Sequence, residues 1–292
     1  MSTLRIATRS SAQARTQAEA VADSLASAHA GLVVELVFVD TTGDRRQDVP
    51  LHTMGGQGVF VKEVQLAVLD GRADIAVHSA KDLPSTPADG LVIAAFTSRR
   101  DPRDVLVGRS LDALSAGAIV ATGSVRRRAQ LSQLRPDLEF VELRGNIPTR
   151  LGKVPPDGAI VMAAAALEIL GWSDRIAQIL DVDSMVPAVG QGTVAVEARV
   201  DDHKTLAMLS AVDDPTSRAS VERERAFLAE LGSGCSLPVG AYDDGDTLRV
   251  YLASDDGRRH HRATVVTGTS ASQIELLERA RSAARTARDA VA

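Results

Sequence analysis

The sequence predicts an α/β protein: two similar α/β domains with a small α+β domain behind them. Three observations carry this. In the first half, short apolar runs alternate with helix-patterned segments, as strands covered by helices do. The stretch Ile6-Ala7-Thr8-Arg9-Ser10 returns as Val120-Ala121-Thr122-Gly123-Ser124, each time strand, Ala-Thr-x-Ser, helix, with Gln17 and Gln130 at nearly the same offset downstream. From Ser220 onward the alternation stops, and an alanine- and arginine-rich amphipathic helix closes the chain.

Taken in order, Leu4–Ala7 reads as a strand, and Ser10 or Ser11 can cap a helix running to about Ala30. Leu32–Val39 is a second, nearly all-apolar strand. A polar, glycine-rich stretch from Thr41 to Gly58 leads into a helix over Val59–Leu69. The strand Asp74–His78 ends in the loop Ser79-Ala80-Lys81-Asp82-Leu83-Pro84. Apolar strands separated by helices predict parallel sheet covered on both faces. A second unit opens at about Asp101, and its strand Ala118–Ala121 runs through Thr122-Gly123-Ser124 into a helix over Arg126–Leu134. The tail reads as a helix Ser220–Leu231, strands Leu248–Ala253 and Arg262–Val266, and a helix Ser272–Val291.

Composition narrows the function classes. With 292 residues the chain can form two or three domains, and 45% apolar with 24% charged residues is ordinary for a soluble protein. Met1-Ser2-Thr3-Leu4-Arg5 has no charged stretch followed by an apolar block, so no signal peptide is expected. The longest apolar run, Ala159 to Leu167, is too short to span a bilayer, which makes the cytoplasm the expected compartment. A net charge of −5 argues against nucleic-acid binding. Gly55-Gly56-Gln57-Gly58 lacks the ending of a phosphate-binding loop, and no dinucleotide fingerprint occurs, so ATP and NAD are not expected. No metal site is expected either: His78 is isolated and His260-His261 reads as part of a polar turn.

Where chemistry could reside follows from the charges. The 33 cationic residues comprise 29 arginines and 4 lysines, a bias that a GC-rich genome largely explains. Their positions are another matter. Arg9 follows the first strand, Arg126-Arg127-Arg128 open a helix, and Arg144 and Arg150 frame Arg144-Gly145-Asn146-Ile147-Pro148-Thr149-Arg150. Cations at a helix N-terminus oppose its dipole, and an anionic ligand in a cleft between the domains would relieve the conflict. The guanidinium fork suits carboxylates, so the expected ligand carries several carboxylates or phosphates. Asp82 lies at the C-terminal end of a strand, where α/β proteins keep catalytic groups, although an Asp capping a turn before Pro84 is the plain alternative. The lone Cys235, in Gly232-Ser233-Gly234-Cys235-Ser236-Leu237-Pro238, cannot form an intrachain disulfide; it is a packing residue or a reactive thiol.

Together these residues resemble the porphobilinogen deaminase (hydroxymethylbilane synthase) family. The resemblance runs from Arg5 to about Gly240 through Ala7-Thr8-Arg9, the segment from Ala73 to Pro84, and Asp101-Pro102-Arg103-Asp104. It continues in Leu143-Arg144-Gly145-Asn146, Thr149-Arg150-Leu151, Pro187-Ala188-Val189-Gly190-Gln191-Gly192, Glu224-Arg225-Ala226 and Gly234-Cys235-Ser236-Leu237-Pro238. It implies two domains like periplasmic binding proteins around a central cleft, with boundaries at 1–99 plus 193–212, 100–192, and 215–292 for the C-terminal α+β domain. It implies a dipyrromethane cofactor attached through Cys235, onto which four porphobilinogen units are joined with loss of ammonia, before hydrolysis releases hydroxymethylbilane. The family's catalytic aspartate matches Asp82. Its cofactor-binding groups match Lys81, Ser79, Thr122, Ser124, Arg126, Arg127 and Arg144, and its substrate-binding groups match Arg9, Ser11 and Arg150. The resemblance further implies a monomer without nucleic-acid or membrane partners. Departures are Ile169 where the family commonly places an arginine, Thr53 and Gln57 where some members have lysines, and Arg223 and Ser233 for alanine and glycine. The competing expectation is a homologue that binds an anionic small molecule without turnover.

Overall fold

The computed structural model describes residues 2–45, 58–232, 237–268 and 271–292. In chain order the first elements are β1 (Ser2–Arg9), α1 (Ala12–Ala28), β2 (Leu32–Val39), α2 (Thr42–Arg45), α3 (Lys62–Leu69), β3 (Ile75–Ser79) and β4 (Leu91–Phe96). Next come β5 (Asp104–Gly108), β6 (Ile119–Ala121), α4 (Val125–Leu134), β7 (Glu139–Val141), α5 (Ile147–Leu151), β8 (Ala159–Ala163), α6 (Ala164–Glu168) and β9 (Ile176–Ile179). The chain ends with β10 (Val194–Arg199), α7 (His203–Leu209), α8 (Pro215–Glu230), β11 (Val239–Asp243), β12 (Thr247–Ala253), β13 (His260–Val266) and α9 (Gln273–Val291).

The two large sheets share one plan. Their strand orders are β2-β1-β3-β10-β4 and β7-β6-β8-β5-β9. In each, the first three strands run parallel and the fourth is antiparallel to both neighbours. The expected parallel pairing holds for the first three strands of each sheet, and the antiparallel fourth strand makes both sheets mixed. The chain leaves the first sheet after β4, lays down β5 inside the second, and later returns β10 between β3 and β4. Long-range returns of this kind leave no trace in local periodicity.

Helices cover both faces of each sheet, as alternation along the strands requires. On β1, Ile6 packs with Val21 and Leu25 of α1, while Ala7 faces Val64, Ala67 and Val68 of α3. In the second sheet Val105 and Ile160 pack with Leu167 of α6, and Leu106 and Val161 with Leu131 of α4. The third sheet, β11-β12-β13, is antiparallel; Ala280, Ala284 and Ala287 seat α9 on Leu248, Val250 and Leu252. Their spacing of four and three residues keeps one helix face toward the sheet.

Local signals set several boundaries. Ser11 caps α1 by accepting from Ala14 N at 3.3 Å, and Ser272 with Glu275 forms a full capping box on α9. Helix α8 begins at Pro215 rather than Ser220, because Asp214 caps it and proline suits the first turn. Strand β11 was not expected from sequence, and His260 and His261 lie on β13 rather than in a turn.

Candidate active site

The carboxyl ends of parallel strands from both large sheets face a common cleft of about 680 Å³. From the first sheet come Arg9 at the end of β1, Ser11 at the start of α1, and Lys81 and Asp82 just after β3. The second contributes Ser124, Arg126 and Arg127 around the start of α4, Arg144 before α5, Arg150 within it, and Ala166 of α6. Ala188 and Gln191, on the segment returning to β10, close the junction. Ligands of α/β proteins gather at such strand ends.

Lys81 and Asp82 sit on a tight 3-10 turn, Ala80–Asp82, tied down where Ala80 N donates to Thr193 O at 2.9 Å. Gly190 makes this possible. It adopts φ +69°, and a Cβ there would lie 2.9 Å from that of Ala80. Across the cleft, Asn146 caps α5 by accepting from Thr149 N at 3.0 Å, and Arg150 Nε donates to Gly145 O at 2.7 Å. The Arg9 guanidinium lies 4.2 Å from the ring centroid of Phe60, another wall residue.

Arg126 and Arg127 are not solvated helix-face residues. They are 5% and 7% exposed, and both bond the completely buried Asp104. Burial alone would raise the Asp104 pKa; the charges of Arg126 and Arg127, with hydrogen bonds from Arg126 and Gln191, prevail and hold it well below the usual carboxylate range. Burial, then the neighbouring charge of Arg127, pushes the Lys81 amine down to about 8, against the opposite pull of Asp82 and Asp104. Burial, then Arg127 and Arg144, brings Arg150 down to about 10. Six cationic side chains line the cleft against two carboxylates, Asp40 and Asp82. This excess of donors fits a ligand bearing several carboxylates, which supports the expected dipyrromethane and substrate chemistry.

Most expected site residues meet on this wall, with exceptions. Ser79 lies in a small adjoining recess, its hydroxyl exchanging hydrogen bonds with the Gln17 amide at 3.0 and 3.1 Å. Thr122 is buried behind the wall, where its Oγ1 accepts from Ser124 N at 3.2 Å and shapes the entry to α4. Ser11 and Ser124 both cap helices. Cys235, Thr53, Gln57 and Ser233 lie outside the described residues. Of the two departures that remain, Arg223 is buried against Asp243 at 2.7 Å, within the C-terminal domain. Ile169 caps the C-terminus of α6, half-buried, one helical turn beyond Ala166. His78 is not isolated: its Nε2 lies 3.1 Å from Glu197. Asp104 and Gln191 carried no role in the sequence reading beyond membership of two motifs, because no local pattern reveals that they converge on Arg126 and Arg127. Among the described residues no group of three or more His, Cys, Asp or Glu is placed to hold a metal ion, and no helix is long and apolar enough to cross a membrane.

Fold and site together define a class: a two-lobed α/β clamp lined with cations, with one carboxylate set on the tight turn beside them. The family model described as porphobilinogen deaminase, dipyromethane cofactor binding domain, matches residues 4–207, and that of the porphobilinogen deaminase C-terminal domain matches 218–279. Similar proteins named porphobilinogen deaminase include one from a Roseiflexus species, 48% identical over 88% of both chains. Another, from Acidothermus cellulolyticus, is 49% identical over 86% of this chain and 78% of its own. The chain belongs to the porphobilinogen deaminase family. Distant likenesses among solved structures include the methionine binding protein MetQ, 15% identical with a TM-score of 0.47, over 74% of this chain and 92% of that one. A periplasmic substrate-binding protein of an ABC transporter from Coxiella burnetii is 17% identical with a TM-score of 0.44, over 76% and 96%.

Proposed function

We propose that the chain is a porphobilinogen deaminase. It joins four porphobilinogen units head to tail with release of ammonia, then frees hydroxymethylbilane for tetrapyrrole synthesis. The observation that carries this reading is the cleft itself: Asp82 beside Lys81 on one wall, and Arg126, Arg127, Arg144 and Arg150 on the other. Porphobilinogen bears an acetate and a propionate, so a growing chain needs many fixed cationic donors and few carboxylates. When bound, the dipyrromethane supplies the pyrrole carbon to which the first substrate unit is joined.

The protein's own groups divide the remaining work. Lys81, Arg126, Arg127 and Arg144, with Ser124, with Ser79 in the adjoining recess and Thr122 behind the wall, would hold the cofactor's carboxylates; Arg9, Ser11 and Arg150 would hold the incoming substrate's. Asp82 would give its proton to the departing amine, stabilise the cation left on the substrate, and take the proton displaced when the new carbon–carbon bond forms. Cys235 would be the covalent tether, keeping the growing chain in register with Asp82. Three domains, at 1–99 with 193–212, 100–192 and 215–292, a monomeric state and a cytoplasmic location belong to the same reading. A binder without turnover would leave Asp82 with no task on the cleft wall.

The test is direct. Purified protein is given porphobilinogen while ammonia and linear tetrapyrrole are followed. Its intact mass should exceed the sequence mass by two linked pyrroles, and Cys235→Ser should abolish that excess. No consumption of porphobilinogen by protein carrying the added mass would overturn the assignment.

A further inference from the structure

We infer that Asp104 is a positioning residue that makes one anion-binding unit of Arg126 and Arg127, and that Gln191 ties this unit to Lys81 across the junction of the two large sheets. The inference deepens the function proposed above and rests on it only for the substrate. Asp104 opens β5 and is wholly buried. Its Oδ2 accepts from Arg126 Nη1 at 2.6 Å. Its Oδ1 accepts from Arg126 Nη2 at 3.2 Å, Arg127 Nε at 2.9 Å and Gln191 Nε2 at 3.0 Å. The Gln191 Oε1 in turn accepts from Lys81 Nζ at 3.2 Å, next to Asp82. Asp104 is absent from the cleft lining, whereas Arg126, Arg127, Gln191 and Lys81 all reach it.

Two observations separate this from ordinary packing. The first is charge. Adjacent arginines in the first turn of a helix repel each other and oppose its dipole. With Asp104 between them the group carries one net positive charge, and both forks are held at fixed angles before any carboxylate arrives. Asp104 is wholly buried, paired with two guanidinium groups and off the cleft lining, so its effect on a ligand is geometric. The second is the internal comparison. Counted from the capping serines, the counterparts of Arg126 and Arg127 on α1 are Gln13 and Ala14. Asp104 pairs with Ala163 at the end of β8, and in the first sheet the matching residue, paired with Ser79 at the end of β3, is Val194. The carboxylate occurs only in the lobe that has the arginine pair.

Two variants test this, Asp104→Asn and Gln191→Met. The chain has four lysines, Lys62, Lys81, Lys153 and Lys204. Acetylation of Lys81 can therefore be followed against pH on its own peptide, at matched intact mass so that cofactor states agree. Both variants should move the Lys81 midpoint down from about 8: Asp104→Asn removes a charge that favours the ammonium, and Gln191→Met removes the acceptor of its hydrogen bond. Asp104→Asn should also raise KM for porphobilinogen ~10–100-fold with a smaller change in kcat, the pattern of lost binding orientation. An Asp104→Asn protein that melts lower yet keeps wild-type KM and Lys81 midpoint would overturn the inference and make Asp104 structural. If that variant does not fold, Gln191→Met decides, and an unmoved midpoint sinks the tie to Lys81. A wild type that ignores porphobilinogen would refute the proposed function alone, since Lys81 labelling needs no substrate.

Discussion

The two large sheets are the same scaffold with opposite chemistry at their ends. In the first, the strand end Ser79 is followed by Ala80-Lys81-Asp82, and the start of α1 is neutral at Gln13 and Ala14. In the second, the equivalent strand end Ala163 is followed by Ala164-Ala165-Ala166, and the start of α4 carries Arg126 and Arg127 over buried Asp104. One lobe presents Lys81, whose amine burial pushes down to about 8; the other presents Arg126 and Arg127 paired with the buried counter-ion Asp104. Proton transfer needs a group with room to titrate, whereas orienting a polyanion needs donors that do not move. On the proposed function, the duplicated fold meets both needs in one cleft.

Breaking the first lobe should cost most. Asp82→Asn removes charge and proton transfer while keeping size, so turnover should fall at least ~100-fold. The melting temperature should hardly change, since Asp82 is half-exposed on a turn. Ammonia release and a melting curve read both, and near wild-type turnover would move the chemistry out of this lobe.

Gly190→Ala attacks the same turn indirectly. A Cβ would sit 2.9 Å from the Ala80 Cβ with the backbone at φ +69°. The strain is ~1–3 kcal/mol, so the protein should melt several degrees lower and lose activity as Lys81 and Asp82 shift. Wild-type activity would mean the turn tolerates displacement.

The difference in titration can be sharpened with pH. Lys81 is charged only below about 8, while Arg150, held near 10, stays charged well above that. KM for porphobilinogen should therefore rise up to ~10-fold as pH climbs through the Lys81 midpoint, a response that Lys81→Met should lack. Stability moves the other way. The folded pKa lies below the ordinary value of 10.5, so between about 8 and 10.5 the unfolded chain binds more protons. This group's contribution then grows more favourable as pH rises. Melting curves of wild type and Lys81→Met across that window should diverge accordingly.

The smallest effect is expected at Ile169. It is half-buried at the end of α6, on the helical face of Ala166, which lines the cleft. Ile169→Arg should raise the fraction of protein retaining the added pyrrole mass, with melting little changed. A large drop in melting temperature without that gain would show the position to be structural in this lobe.

Much was legible along the chain. Ser11, Ser272 and the apolar runs of β1, β2 and β3 announce their elements through neighbours a few residues away. The cationic cleft was legible as well, because arginines at strand-to-helix junctions conflict with the helix dipole. Legibility failed where partners are distant. The antiparallel β10 is remote in sequence from its neighbours β3 and β4. Residues 46–57 and the Cys235 loop, where the covalent tether is expected, lie outside the described residues.

The sequence by itself determined the alternation of strands and helices, the duplicated lobe, the excess of cations and the aspartate at a strand end. All depend on short-range patterns of apolarity, capping and charge. Only the tertiary structure decided that Asp104 pairs with Arg126 and Arg127, that Gln191 reaches Lys81, that Ser79 lies in an adjoining recess and that Thr122 stands behind the wall. The contacts of Asp104 with Arg126 and of Gln191 with Lys81 join residues 22 and 110 positions apart, where burial and hydrogen-bond geometry replace sequence spacing as the determinant.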